Sequence, residues 1–245
     1  MIAVEISQLA FISPEERQAA FELADRLAAG DMSELKGDLE LLRKTTTAVD
    51  VALFGRMLAD TPLKNIEAAC QVAHAISVHP VVIEDDYFTA VDDLNDHSVD
   101  AGAAHIGETG FAAGLFYSYI CINKSLLVDN LNGDEALADR SIKALTEAAT
   151  KVAPEGKQNC FGSRAYASYV LAEKGEQQPR SLSVAFLKPI DQHHSVDFAT
   201  DAIAALTDQR QKFDQVYGDC SDAHYELNAV KGDGKLSELL DFVAA

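Results

Sequence analysis

VDVALFGRML, residues 49–58, and CQVAHAISVH, residues 70–79, decide whether this chain is all helical or mixed. In the first stretch Val49, Val51, Leu53 and Met57 fall on one side of a two-residue repeat, with Asp50, Ala52, Phe54 and Arg56 on the other. In the second, Cys70, Val72, His74, Ile76 and Val78 share a face, and Pro80 follows. A period of two predicts strands, and proline ends them because it has no N–H for the ladder. FAAGLFYSYICIN, residues 111–123, predicts a third strand. The stretch 84–100 between them holds seven acidic residues and no Lys or Arg, beside the aromatic pair Tyr87 and Phe88. Adjacent carboxylates resist burial, so this stretch is expected to be a loop or an excursion from the body.

Outward on the N-terminal side the period changes to helical. Ser13 is an expected N-cap, with Pro14 at the first helical position and Glu15 and Glu16 in the first turn, where the helix dipole favours anions. Phe21, Ala24, Leu27 and Ala28 recur at helical spacing, and Gly30 closes the segment. A second helix is expected through Leu35, Leu39 and Leu42. On the C-terminal side Asp134 caps an expected helix through Ala138, Ile142, Leu145, Ala149 and Val152, stopped by Pro154 and Gly156. Residues 166–171 and 181–187 are predicted as strands. Ser195 is expected to cap a long helix through Ala199, Ala202, Ile203, Leu206, Phe213 and Val216, and KLSELLDFVAA a short closing one. Helices first, then strands interleaved with helices, predicts the α+β class.

Twenty Lys and Arg against 39 Asp and Glu give a formal charge of −19 over 245 residues. Phosphate binding needs a cationic surface, so this balance argues against a general nucleic-acid binder. No apolar run approaches the roughly 20 residues that cross a bilayer, and the first residues show no basic region before a cleavage site. Cys70, Cys121, Cys160 and Cys220 form no CxxC pair and are expected as thiols in a reducing compartment. There is no GxxxxGKS or GxxxxGKT, no GxGxxG after a strand, no HExxH and no GxSxG. His193 and His194 beside Asp191 are expected as a polar lead-in to a helix rather than a metal site. His74 is expected as a core or interface histidine with a hydrogen-bonded ring.

Four ordered segments carry a specific pattern: VDVALFGRM (49–57), AHAISVHPV (73–81), DDYFTAVDDL (85–94) and AAHIGETGFAAGLFYSYICIN (103–123). Together they resemble the CasC family, the repeated crRNA-binding backbone subunit of the type I-E CRISPR surveillance complex, Cascade. SLSVAFLKPI and the closing KLSELLDFV continue the resemblance more weakly. Family members open with a longer segment holding the first palm strand and a basic RNA-facing region. The expectation is therefore that an N-terminal segment is missing, that −19 describes the remainder, and that the exposed sheet edge makes the chain aggregation-prone or partnered.

The resemblance implies an α+β fold with a split RNA-recognition-motif or ferredoxin-like palm (49–83 and 111–245, first strand missing), helical fingers (1–48, partial) and an inserted thumb (84–110). It implies a cytoplasmic, non-catalytic subunit with no cofactor and no membrane contact. Its partners would be crRNA, target DNA through the guide, other copies of itself stacked head to tail, and other Cascade subunits. Met57 matches the family's GRM methionine, a flexible apolar side chain that wedges between bases. Arg56 fits either a phosphate or a structural carboxylate such as Asp50. Tyr87, Phe88 and Thr89 match the thumb, where aromatic faces stack on bases regardless of sequence. His105 and Ile106 match its returning side. Lys36, Arg43 and Lys44 lie where relatives carry cations that touch duplex DNA weakly and non-specifically.

Two other classes stay open on the residues alone. One is a metal-dependent hydrolase using the carboxylates of Glu84, Asp85, Asp86, Asp92 and Asp93 with His105. The other is a protein–protein scaffold that has lost RNA binding.

Overall fold

A computed structural model of the chain describes residues 10–30, 46–59, 61–90, 105–191 and 193–245. They fall into two units. One takes the described residues up to 73 with 119–179 and 221–245; the other takes 74–118 and 180–220. The class is α+β, and among the described residues every sheet is a two-stranded antiparallel pair. The expected helix over 35–44 lies outside the described residues.

In the first unit α1 (Pro14–Ala28) begins with a capping box. The Ser13 hydroxyl accepts from the Glu16 N–H at 3.1 Å, and the Glu16 carboxylate accepts from the Ser13 N–H at 2.9 Å. Two orphan donors of the first turn are thereby satisfied. The next element corrects the strand expected over 49–58: Val49–Phe54 is a helix, α2. Val51, Ala52 and Leu53 are all buried. Three consecutive inward residues fit a short helix packed on most of its circumference, not a strand with one buried face. Gly55 ends it at φ +77°, where a side chain would place its Cβ 2.7 Å from the Ile66 carbonyl oxygen. Only Arg56 has strand-like pairing, in an isolated antiparallel bridge to Ile66.

The expected strand over 70–79 is likewise shorter and divided. β1 (Cys70–Val72) belongs to the first unit and β2 (Ile76–Ser77) to the second. The strand expected over 111–123 splits in the same way. Its end, β6 (Ile120–Ile122), pairs with β1, and β5 (Phe116–Tyr117) pairs with β2.

Helices α3 (Lys124–Asn130) and α4 (Glu135–Lys151) follow, capped by Asn123 and Asp134, the second as expected. They close a core with Ala52, Leu53, Ala69 and Cys70 against Leu127, Leu131, Ala138 and Ile142. Truncating a fully buried leucine such as Leu127 in such a core costs about 2–5 kcal/mol. Asn130 stitches this core from inside. Its amide donates to the Ala52 and Glu67 carbonyls, at 2.9 Å each, and its own carbonyl accepts from the Thr46 N–H at 3.0 Å. A short helix, α5 (Gln158–Phe161), precedes β7 (Tyr169–Lys174), which lies three residues beyond the expected start at 166. It pairs with a strand the alternation did not mark, β8 (Ala223–Asn228). The closing helix α7 (Leu236–Ala244) forms as expected and packs on α4 and β8.

The second unit corrects three more expectations. Residues 181–187 are not a strand; Ser183–Phe186 is a 3-10 turn. Leu182 and Phe186 are its buried residues, four apart, which is a helical spacing. The long helix α6 (Phe198–Tyr217) is capped by Asp197 rather than Ser195, because the Asp197 carboxylate accepts from both the Ala199 and the Thr200 N–H. Finally, 84–90 is not a loop. β3 (Glu84–Ala90) pairs with β4 (His105–Phe111) in register from Glu84 opposite Phe111 to Ala90 opposite His105. The acidic residues do not prevent this, because a two-stranded ribbon leaves both faces in water and buries no carboxylate.

Candidate nucleic-acid interface

The Gly55–Leu58 turn alternates inward and outward. Arg56 is 3% exposed, Met57 79% and Leu58 3%. The inward residues are each held twice or more. Arg56 exchanges two backbone hydrogen bonds with Ile66, both 2.9 Å. Its Nη1 donates to both Glu16 carboxylate oxygens, at 2.9 and 2.8 Å. Leu58 donates its N–H to the Asn65 side-chain oxygen at 2.6 Å, and its side chain is buried. Of the two roles expected for Arg56, the described conformation therefore holds a carboxylate, and that carboxylate is Glu16, not Asp50, which is exposed. Met57, with no inward neighbour to meet, projects beside a shallow hollow lined also by Phe11, Phe54 and Ile66.

The β3–β4 ribbon places the other expected contact residues. Successive side chains point to opposite faces, so Tyr87 and Thr89 share one face and Phe88 lies on the other. The aromatic pair therefore serves two surfaces rather than one. Tyr87 is 64% exposed and stands across from Glu108. Phe88 lies across from Gly107, and its ring occupies the space a side chain there would need: a Cβ at Gly107 would fall 2.3 Å from the ring's Cζ. Thr89 is exposed, with Ile106 opposite it in register and His105 opposite Ala90.

Lys36, Arg43 and Lys44 lie outside the described residues, as do Asp92 and Asp93. Of the carboxylates weighed for metal chemistry, Glu84 and Asp86 lie on one ribbon face and Asp85 on the other. Among the described residues no three His, Cys, Asp or Glu side chains converge in a metal-ligating arrangement. Asp191 folds back on its own turn, accepting from the His193 N–H at 2.9 Å and meeting His194 Nδ1 at 2.6 Å. The His193 N–H first, then the His194 ring, hold its carboxyl below the usual range. That is the hydrogen bonding of a polar turn ahead of a helix.

Two groups escaped the sequence reading. Glu16, read only as a dipole partner in the first turn of α1, is the buried counter-ion of Arg56. His79, and not His74, is the enclosed histidine. Its Nδ1 lies 2.7 Å from the Pro80 carbonyl oxygen, its Nε2 accepts from the Leu115 N–H at 3.1 Å, and its ring stacks on Phe198 at 4.4 Å. Its exposure is 9%, whereas His74 is exposed. His74 lies in the break between β1 and β2 and His79 just beyond β2, and an alternation that runs straight through that break puts the burial on the wrong ring.

A model of the CT1975-like protein family matches residues 3–239. Among solved structures, a chain from a "CRISPR RNA-guided surveillance complex, pre-nicking" superposes with a TM-score of 0.72 and 27% identity, covering 93% of this chain and 64% of that one. A chain from another CRISPR RNA-guided surveillance complex superposes with a TM-score of 0.65 and 26% identity, covering 96% of this chain and 85% of that one. The chain thus spans less than two thirds of the length of the first of these structural relatives. A comparison with curated proteins returns no match.

Proposed function

The chain belongs to the CT1975-like protein family, and from that premise we propose that it is a non-catalytic, crRNA-binding backbone subunit of a type I-E Cascade-like complex. The observation that carries this reading is the superposition of 93% of the chain, at 27% identity, on a chain of an RNA-guided surveillance complex. In this reading copies stack along the spacer, guide bases stay available to target DNA, and sequence is read by base pairing while the protein reads backbone and shape. α1 belongs to the helical fingers, the β3–β4 ribbon to the thumb, and the remaining elements to the palm. Met57 is the wedge: a thioether side chain, exposed and flanked by anchored neighbours, can enter between two bases and unstack them. Tyr87, Phe88 and Thr89 contact the RNA from the ribbon, with His105 and Ile106 on its returning strand and Arg56 beside the wedge. Lys36, Arg43 and Lys44 touch DNA weakly. The complex works in the cytoplasm. Among the described residues no helix is long and apolar enough to cross a membrane.

Co-expression with a guide RNA and the other subunits of such a complex tests the reading. Tagged chain should recover the partners together with RNA of one defined length. Recovery as nucleic-acid-free oligomers would favour a scaffold, and metal-dependent turnover of a phosphodiester would favour an enzyme.

A further inference from the structure

The Arg56 guanidinium reaches three separate pieces of chain. Besides both oxygens of Glu16, it donates to the Phe11 carbonyl at 3.3 Å and to the Lys64 carbonyl at 3.4 Å. The two carbonyls lie on, or next to, an exposed apolar side chain, Phe11 itself, 63% exposed, and Leu63, 75% exposed and bonded to Lys64, while the exposed Met57 is bonded to Arg56 itself. One buried cation thus fixes the backbone under three outward apolar residues. Stability alone accounts poorly for this arrangement. A buried ion pair contributes little over apolar residues of the same volume, whereas its geometry specifies one arrangement of the chain. Nor does the α1 cap explain it, since Ser13 and Glu16 complete their reciprocal bonds without Arg56.

We propose that Glu16, acting through Arg56, is a positioning residue that holds Met57 outward with Phe11 beside it, so that the wedge meets the RNA already oriented. This inference rests on the reading of Met57 as a base wedge. Glu16 touches no RNA. It neutralises the guanidinium, and the neutral pair stays buried and leaves Met57 a single outward direction. Without the carboxylate, the Arg56 guanidinium turns to solvent, and the 55–58 turn keeps only its backbone bonds to Ile66 and the Leu58 anchor.

The test uses the assembled complex, loaded with guide RNA carrying 2-aminopurine at the unstacked position, whose emission rises when the base leaves its stack. Met57→Ala should lower the emission. Glu16→Gln should lower it to a similar extent, roughly threefold to tenfold, the scale of coupling between linked sites. The double variant should fall no further than Met57→Ala. If Glu16→Gln does not fold, Glu16→Asp, which keeps the charge but pulls it back by one methylene, carries the same cycle. Unchanged emission in the Glu16 variant, or a double variant that falls further than Met57→Ala, overturns the positioning role while the wedge stands. Unchanged emission in Met57→Ala overturns the wedge, and the positioning role with it.

Discussion

The 55–58 turn and the β3–β4 ribbon expose their proposed contact residues by opposite means. In the turn, Met57 stands outward because Arg56 and Leu58 on either side are almost fully buried, Arg56 bonded at several points and Leu58 to the Asn65 side chain. In the ribbon, Tyr87 and Phe88 stand outward because a two-stranded pair has no inside, and what holds them is the backbone ladder to β4. The first design fixes direction and should respond to mutation as a rigid body. The second gives reach and should absorb mutation locally. In the proposed role, a protein that must accept any spacer sequence would use both: a rigid point that sets the register of the RNA and a compliant aromatic arm that adapts to the bases.

The largest expected effect strikes the turn. Arg56→Ala leaves the Glu16 carboxylate buried without its guanidinium, and stranding one partner of such a pair costs about 3–5 kcal/mol. Denaturant unfolding of variant and parent measures it. A loss below about 1 kcal/mol, the value of a surface pair, would mean the turn is not rigidly anchored. Gly55→Ala should come next. Its positive φ strains any side chain, and the Cβ would meet backbone at Ile66 and Ala68 rather than a side chain able to move aside. About 1–3 kcal/mol is expected, read from the same curves.

The ribbon should respond more softly. In Gly107→Ala the new Cβ meets only the Phe88 ring, the far end of a flexible side chain, so the ring swings and the strands stay paired. A stability change within about 0.5 kcal/mol is expected, typical of an exposed substitution, with a clear change in the Phe88 ring resonances. A loss as large as that of Gly55→Ala would erase the contrast between the two regions. The smallest effect concerns an exposed carboxylate, to set against the buried Glu16. The Tyr225 hydroxyl first, then Lys235, hold the Glu238 carboxyl below its ordinary range. A folded-state pKa below the unfolded one stabilises above the unfolded value and is lost as pH falls through the folded one. Glu238→Gln should therefore lower the thermal midpoint slightly near neutral pH, and the gap to the parent should close in acid. A gap that persists in acid would trace the effect to packing rather than charge.

What could be read from sequence was local. Ser13 and Asp134 cap their helices because a side chain bonding a backbone N–H three residues on needs nothing else from the molecule. The alternation misled over 49–54 because six residues are too few to separate a period of 2 from one of 3.6. What decides is Ala69, Cys70 and Leu127, which pack around Ala52 and Leu53 and turn the segment into a helix. Of the loop or excursion expected for the acidic stretch, the loop fails over 84–90 for another reason. Charge density speaks to burial, and the β3–β4 pairing buries no carboxylate. For the proposed site, the motif singled out Met57, and the structure stands it outward. The counter-ion of Arg56 could not be read, because Glu16 is 40 positions away and its SPEE context already has a complete local explanation as a cap. Long-range pairing is the part of the fold that a single sequence does not print.

Chemical probing of the guide RNA inside the assembled complex, nucleotide by nucleotide, tests the central claim most directly. If copies of this chain line the spacer and each drives its Met57 between bases, reactivity should rise at one nucleotide per copy, at a constant interval. Met57→Ala should flatten those peaks while leaving thermal stability within about 0.5 kcal/mol, as for a mostly exposed side chain. Uniform reactivity along the spacer, or peaks unchanged in Met57→Ala, would contradict the account.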